Sequence, residues 1–217
     1  MNEIKQMKID DEVFPLSLLR YKDSPKLLYY LSDNNINLNN YTKKVAIVGA
    51  RDASKYALDT AYKIAYELSK EGVVIVSGLA KGVDAQAHKG ALDANGVTAA
   101  ILGNGLNTIY PTCNENIFNE IRKSGIVLSE YPSDMPPLKQ NFPARNRIIC
   151  GLCDFVLVVE AKQRSGSLIT ARIALDYGID VGVIPGNIYC SYAQGSNLLL
   201  RDGAYPILET RDILELL

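Results

Sequence analysis

The residues best equipped to do chemistry lie in one short segment, Lys139-Gln140-Asn141-Phe142-Pro143-Ala144-Arg145-Asn146-Arg147. It combines cations, side-chain amides and a single aromatic ring. Pro136 and Pro137 precede it, so the segment begins extended before it turns into a helical pattern. This mixture suits single-stranded nucleic acid: cations track the phosphates while a ring or guanidinium plane stacks a base, at ~1–3 kcal/mol per stacked base. The same residues also fit a structural loop whose arginines cap neighbouring carbonyls, with Phe142 in the core. Residue types alone leave those two readings level.

A second set of candidates is the run of glycine turns: Gly49-Ala50-Arg51, Gly78-Leu79-Ala80-Lys81-Gly82, Gly103-Asn104-Gly105, Ser165-Gly166-Ser167 and Pro185-Gly186-Asn187. Each follows an apolar run of strand character. Glycine lets backbone amides approach a ligand closely, and a helix N-terminus behind such a turn favours phosphate. Turns in α/β proteins need glycine for geometry anyway, but a whole edge of them points towards an anion site. None is a nucleotide fingerprint. Gly49-Ala50-Arg51 does not continue as G-x-G-x-x-G and no G-x-x-x-x-G-K-[ST] occurs, so neither ATP nor NAD is expected, and no other cofactor is.

Nucleophilic and metal chemistry find little support. Either Ser165 or Ser167 suits a helix N-cap. A serine nucleophile would need a base, and the only histidine, His88, falls in the middle of a helical pattern. Cys150 and Cys153 form a C-x-x-C in an apolar helical segment, without the second pair that a zinc site needs. They read as core filler, and no metal site is expected.

The elements that must position these groups follow from hydrophobic period. Residues 45–48 are continuously apolar and end at Gly49, as in a buried parallel strand. Ala57, Leu58, Ala61, Ile64, Ala65 and Leu68 then recur at helical spacing, with Gly72 as a cap. Further strands are predicted over 73–76, 97–102, 126–128, 155–159, 181–184 and 205–208. Helices are predicted over 84–94, 114–123, 143–153, 167–177, 196–200 and 212–217. Such alternation predicts an α/β fold, an extended Rossmann-like, mostly parallel sheet with helices on both faces. Residues 1–43 are mixed and polar, with one β-prone run at 27–31 and an Asn-rich loop at 33–40. They are expected to be an N-terminal extension packed on a core of residues 44–217. In a parallel sheet the strand ends open on one edge, where ligands bind.

Composition narrows the partners. With 217 residues and 47% apolar side chains, the chain has enough apolar surface for a sizeable core. A net charge of −1 argues against coating nucleic acid by bulk charge. Residues 139–172, however, hold six basic residues against two acidic ones, leaving 17 basic and 22 acidic elsewhere. A local cationic patch on an acidic body suits a defined anion site, although chance clustering on a solvated surface explains it equally. No signal-peptide core or apolar membrane span is present in the sequence. The four cysteines are too few for a disulfide scaffold. A cytoplasmic location, away from membranes, is expected.

At the basic segment the sequence resembles the DNA-processing protein A family (DprA, also called Smf). The likeness begins at Phe14-Pro15 and runs to the C-terminus. It is carried by Val45-Ala46-Ile47-Val48-Gly49-Ala50-Arg51, Ser77-Gly78-Leu79-Ala80-Lys81-Gly82-Val83-Asp84, Phe142-Pro143-Ala144-Arg145-Asn146-Arg147, Ser165-Gly166-Ser167-Leu168-Ile169-Thr170-Ala171 and Pro185-Gly186-Asn187. The resemblance implies single-stranded DNA binding without enzymatic turnover, protection of incoming DNA in natural transformation, loading of a RecA-type recombinase, and a homodimer. It transfers the family's pocket to Arg51, Lys139, Phe142, Arg145 and Asn146, and to the Gly166 turn. Gly49, Gly78, Arg147, Ser165 and Ser167 join them from the reading of the turns and the basic segment.

The chain is expected to be the Rossmann-like core alone, without the family's small N-terminal helical domain or its winged-helix-like C-terminal domain, which leaves accessory contacts open. Cys150 and Cys153 replace small residues of the family. Charge reversal at Arg145 is expected to weaken DNA binding and spare the fold. The rival reading is a Rossmann-like nucleotide sensor or a phosphoribohydrolase. The latter carries P-G-G-x-G-T-x-x-E, whereas the comparable turn here, Ser-Gly-Ser-Leu-Ile-Thr-Ala, lacks the acid. A dimerising or protein-docking platform is a third possibility.

Overall fold

A computed structural model describes residues 3–217. One nine-stranded sheet runs through them in the order β1-β2-β6-β5-β4-β3-β7-β8-β9. The strands are β1 (Lys5–Lys8), β2 (Leu27–Leu31), β3 (Lys44–Val48), β4 (Val74–Ser77), β5 (Thr98–Leu102), β6 (Ile126–Ser129), β7 (Phe155–Val158), β8 (Asp180–Val183) and β9 (Tyr205–Pro206). From β6 to β9 every neighbouring pair is parallel. β1 and β2 pair antiparallel, and β2 joins β6 antiparallel. Residues 3–43 therefore supply two strands of the same sheet. They also place Phe14, Leu18, Leu28 and Leu38 in its core.

Alternation along each strand sends side chains to opposite faces. In β3, Val45 and Ile47 face one layer while Ala46 and Val48 face the other. The first layer is α1 (Lys55–Lys70), α2 (Val83–Asp93) and the C-terminal α7 (Thr210–Leu214), with α3 (Glu115–Ser124) covering β5 and β6 beside them. The second is α4 (Asn141–Leu152) and α5 (Gly166–Asp176), with α6 (Gln194–Arg201) alongside. Gly72 has φ 77 just past α1, as a C-cap glycine requires. The strand predicted over 205–208 is confined to Tyr205–Pro206, although the Ile207 amide still donates to the Val183 carbonyl at 2.9 Å.

The chain winds outwards from β3 through β4, β5 and β6. It then crosses to the other face through α4 and returns to β7, beside β3. The carboxyl ends of β3 and β7 therefore lie together at the point where the strand order reverses. In doubly wound sheets that crevice is the ligand site. No helix among the described residues is long and apolar enough to cross a membrane.

Two sequence candidates belong to the core. Cys150 and Cys153 are buried, and burial pushes the Cys150 thiol up to about 12. His88 is fully buried in α2. Thr98 Oγ1 donates to the carbonyl of Ile75 and accepts from His88 Nδ1 at 2.7 Å, so the imidazole is neutral with its proton on Nδ1. Its Nε2 has no partner among the described residues, and a second proton there would find no acceptor among them. Burial, reinforced by the charge of Arg145, holds the His88 pKa down to about 3 from 6.5. A depressed folded-state pKa gives stability that is complete above the unfolded value and is lost as pH falls towards 3. Lowering pH from 7.5 to 5 should therefore remove about 2 kcal/mol of unfolding free energy through this one group. Urea titrations of the wild type and His88→Gln at both pH values would check this; equal pH dependence in the two proteins would refute it.

Candidate nucleic-acid interface

The Phe142 segment enters the crevice as the first turn of α4, where Phe142, Arg145 and Asn146 stand at i, i+3 and i+4. Helix geometry puts such residues on one face. Arg147, two positions beyond Arg145, is turned to another side. Arg147 Nη2 meets Glu130 Oε1 at 2.6 Å and Nε donates to the carbonyl of Asp23 at 3.0 Å, pinning the N-terminal segment to α4. Arg147, expected in the site, has its fork held by an ion pair with Glu130 at the helix's other side.

Phe142 is half-buried and lies against Gly103, where an added Cβ would stand 2.8 Å from the ring. The guanidinium carbon of Arg51 sits 5.5 Å from the ring centroid, and Tyr110 lies beside it at 5.6 Å between centroids, tilted by 42°. Arg51 is exposed, and among the described residues no carboxylate pairs with it, since the adjacent Asp52 is held by Lys162 at 3.1 Å. The rim thus combines a free cation, a ring and a second ring. Lys139 is exposed two residues before α4.

Arg145 has a different place from the one expected. Only 5% of it is exposed, and its guanidinium donates to the carbonyls of Gly78, at 2.9 Å, and Ile101. It thereby ties the ends of β4 and β5 together. An added Cβ on Gly78 would fall 2.5 Å from that guanidinium, so glycine is required for the close approach. Burial lowers the Arg145 pKa to about 10 against the upward pull of Asp84, and the charge of Arg51 lowers it further. Burial likewise raises the Asp84 carboxyl, opposed first by Arg145 and then by the amides that it accepts from. The expected surface phosphate contact is a buried clamp, because i+3 from Phe142 points into the strand ends. Asn146 Oδ1 accepts from Arg145 Nε at 3.2 Å, which leaves Nδ2 as the donor of that amide.

Two of the expected phosphate turns are already filled. Gly78 and Ala80 donate their amides to the Asp84 carboxylate, at 3.1 and 3.3 Å. At the start of α1 the Ser54 N–H and Oγ–H both donate to Glu160, at 2.8 and 2.7 Å. A carboxylate thus stands where a dinucleotide fold seats its pyrophosphate. Gly49 serves packing, since an added Cβ would meet Val83 at 2.6 Å. The bend after β7 is open by comparison. Ser165 caps α5 by accepting from the Ser167 amide, the two hydroxyls lie 2.7 Å apart, and Ser167 itself is buried. Exposed Gly166 has nothing within 4 Å of an added Cβ.

The structure therefore gathers Phe142, Arg51 and Arg145 at one point, and sheet topology sets the Ser165-Gly166-Ser167 bend on the same edge beside the turn that carries Arg51. Sequence reasoning missed Tyr110, which lies far along the chain from Phe142 and gives no local signal. It also missed Asp84 and Glu160 as internal occupants of the amide turns. Their position at a strand end or in a first helical turn was the available clue.

Fold and crevice together define a Rossmann-like domain with a cation and aromatic rim at its switch point. The profile of the family described as DNA recombination-mediator protein A matches residues 5–217, and the chain belongs to that family. It is 44% identical to the DNA processing protein DprA of Streptococcus pneumoniae over 204 residues, which are 94% of this chain and 71% of that protein. Protein Smf of Escherichia coli is 44% identical over 207 residues, 95% of this chain, and this chain spans only 54% of it. The crystal structure of the S. pneumoniae protein superposes with a TM-score of 0.92 at 42% identity, over 99% of this chain and 74% of that one. The DNA processing protein A of Helicobacter pylori, reported for its single-stranded DNA binding mode, gives 0.87 at 36% identity, over 98% and 95%.

Proposed function

We propose that this chain binds single-stranded DNA at the carboxyl edge of its sheet and performs no chemical turnover on it. One observation carries the reading: exposed Arg51, unpaired among the described residues, lies over the half-buried Phe142 ring at the switch point. A base stacks on the ring or the guanidinium plane while the cation meets its phosphate. Lys139, Asn146 Nδ2 and the open Gly166 bend extend the contact. The binding mode reported for the H. pylori relative supports the same ligand. The family's description as a recombination mediator supports a RecA-type recombinase as partner, and a homodimer and a role in natural transformation belong to the same reading.

The nucleotide-sensor alternative loses ground because carboxylates already engage Ser54 at the start of α1 and the Gly78 and Ala80 amides of the turn after β4. Titration with fluorescent oligo-dT, duplex DNA and free mononucleotides at two salt concentrations tests the choice. The expected order is oligo-dT well ahead of both others, with a log–log salt slope of about −0.7 for each phosphate neutralised. Mononucleotide binding as tight as oligo-dT would overturn it.

A further inference from the structure

We propose that the turn after β8, residues 186–193, is a second base-stacking platform, so that one strand runs along the sheet edge from Phe142 to Tyr189. This rests on the single-stranded DNA reading and deepens it. Tyr189 is 90% exposed and Ile188 72%, unusual for large side chains on a turn that is otherwise tightly fastened. Asn197 clasps Gly186 with two hydrogen bonds, Oδ1 accepting from its amide at 3.1 Å and Nδ2 donating to its carbonyl at 3.0 Å. Behind the turn, the Gly195 amide donates to the carbonyl of Ala161 at 2.7 Å. Within it, Asn187 Oδ1 accepts the Tyr189 amide at 2.9 Å. A ring held on a fixed base loses little freedom when a base stacks on it.

Charge and continuity select the occupant. Lys162 Nζ lies 4.0 Å from the centroid of Tyr192 in the same turn and bonds Asp52, the residue after Arg51. Arg164 is exposed close by in sequence. Cations interleaved with rings suit a flexible polyanion with stackable bases. β8 pairs with β7, and β7 with β3, so the turn shares the edge that bears Arg51. The strands from β5, which is followed by Gly103 beneath Phe142, to β8 cover four spacings of about 4.8 Å, or roughly 19 Å. An extended oligonucleotide spans that distance, whereas a trinucleotide with two phosphate intervals falls short.

The test titrates wild type, Tyr189→Ala, Tyr189→Phe and Phe142→Ala with dT oligonucleotides of about three and about fifteen nucleotides, the longer within the ~4–16 nucleotides that a single OB fold occupies on a single strand. Tyr189→Ala should lower affinity for the long oligonucleotide roughly tenfold. It should leave the short one unchanged, with Tyr189→Phe close to wild type and Phe142→Ala weakening both. If Tyr189→Ala binds the long oligonucleotide like wild type while Phe142→Ala weakens both, the second platform is refuted and the DNA-binding function stands. If the wild type binds neither oligonucleotide, or Phe142→Ala weakens neither, the functional reading itself fails and the platform with it. Sedimentation of the same proteins covers a protein occupant: a change in self-association by Tyr189→Ala, with DNA binding intact, would also refute the platform.

Discussion

Arg145→Ala is expected to destabilise the fold by roughly 3–5 kcal/mol, the usual cost of removing one member of a buried charged constellation. The substitution leaves the carbonyls of Gly78 and Ile101 without their donor, and it removes the positive charge that favours the buried Asp84 carboxylate. For a chain of this length the melting temperature should fall by about 10 °C. Arg145→Glu should be worse, because it sets a second carboxylate close to Asp84. Charge reversal at Arg145 is therefore expected to cost stability rather than spare the fold. Arg145→Lys should fall between wild type and alanine, since an ammonium keeps the charge but lacks the planar fork that reaches two carbonyls. Urea unfolding of the three variants measures the effect. A wild-type midpoint for Arg145→Ala, accompanied by weakened DNA binding, would return the residue to the role of a direct phosphate contact.

The second large effect is expected at the rim. Phe142→Ala should lower single-strand affinity by about 1–3 kcal/mol, the range for losing one stacked base. Arg51→Ala should weaken binding as well, and should reduce the magnitude of the salt slope by about 0.7, one single-strand phosphate. Arg51 is exposed, so its loss should leave the urea midpoint within about 0.5 kcal/mol of wild type. Because the guanidinium lies over the ring, the two substitutions should couple, and the double variant should lose less than the summed single losses. An unchanged salt slope in Arg51→Ala would remove the phosphate role. Strict additivity would show that cation and ring act on the strand independently.

These two predictions concern neighbours in one nine-residue motif and its facing turn, yet one is about stability and the other about binding. The motif reads as a single cationic patch in the sequence. Folding sorts it by helical angle: Phe142 and Asn146 stay on the rim, Arg145 enters the strand ends, and Arg147 turns to Glu130 and Asp23. A spacing rule applied to the helix would have separated Arg147 from Arg145, since residues two apart do not share a face. No such rule would have distinguished a rim position from a buried one at i+3. That depends on where β4 and β5 end.

Local pattern determined a good deal. Continuous apolar strands, helical spacing in the segments between them and glycine at the turns follow from backbone sterics and burial of apolar surface, which act over a few residues. They were enough to predict a mostly parallel α/β sheet and to place the candidate groups on its carboxyl edge. Tertiary structure decided the strand order, and with it the meeting of β3 and β7. It also added Lys5–Lys8 and Leu27–Leu31 to the sheet, and it brought Tyr110 to Phe142 and Asp84 and Glu160 into the amide turns. These are contacts between residues distant in sequence. Their energies depend on desolvation and on which donor reaches which acceptor, neither of which residue types and spacing record.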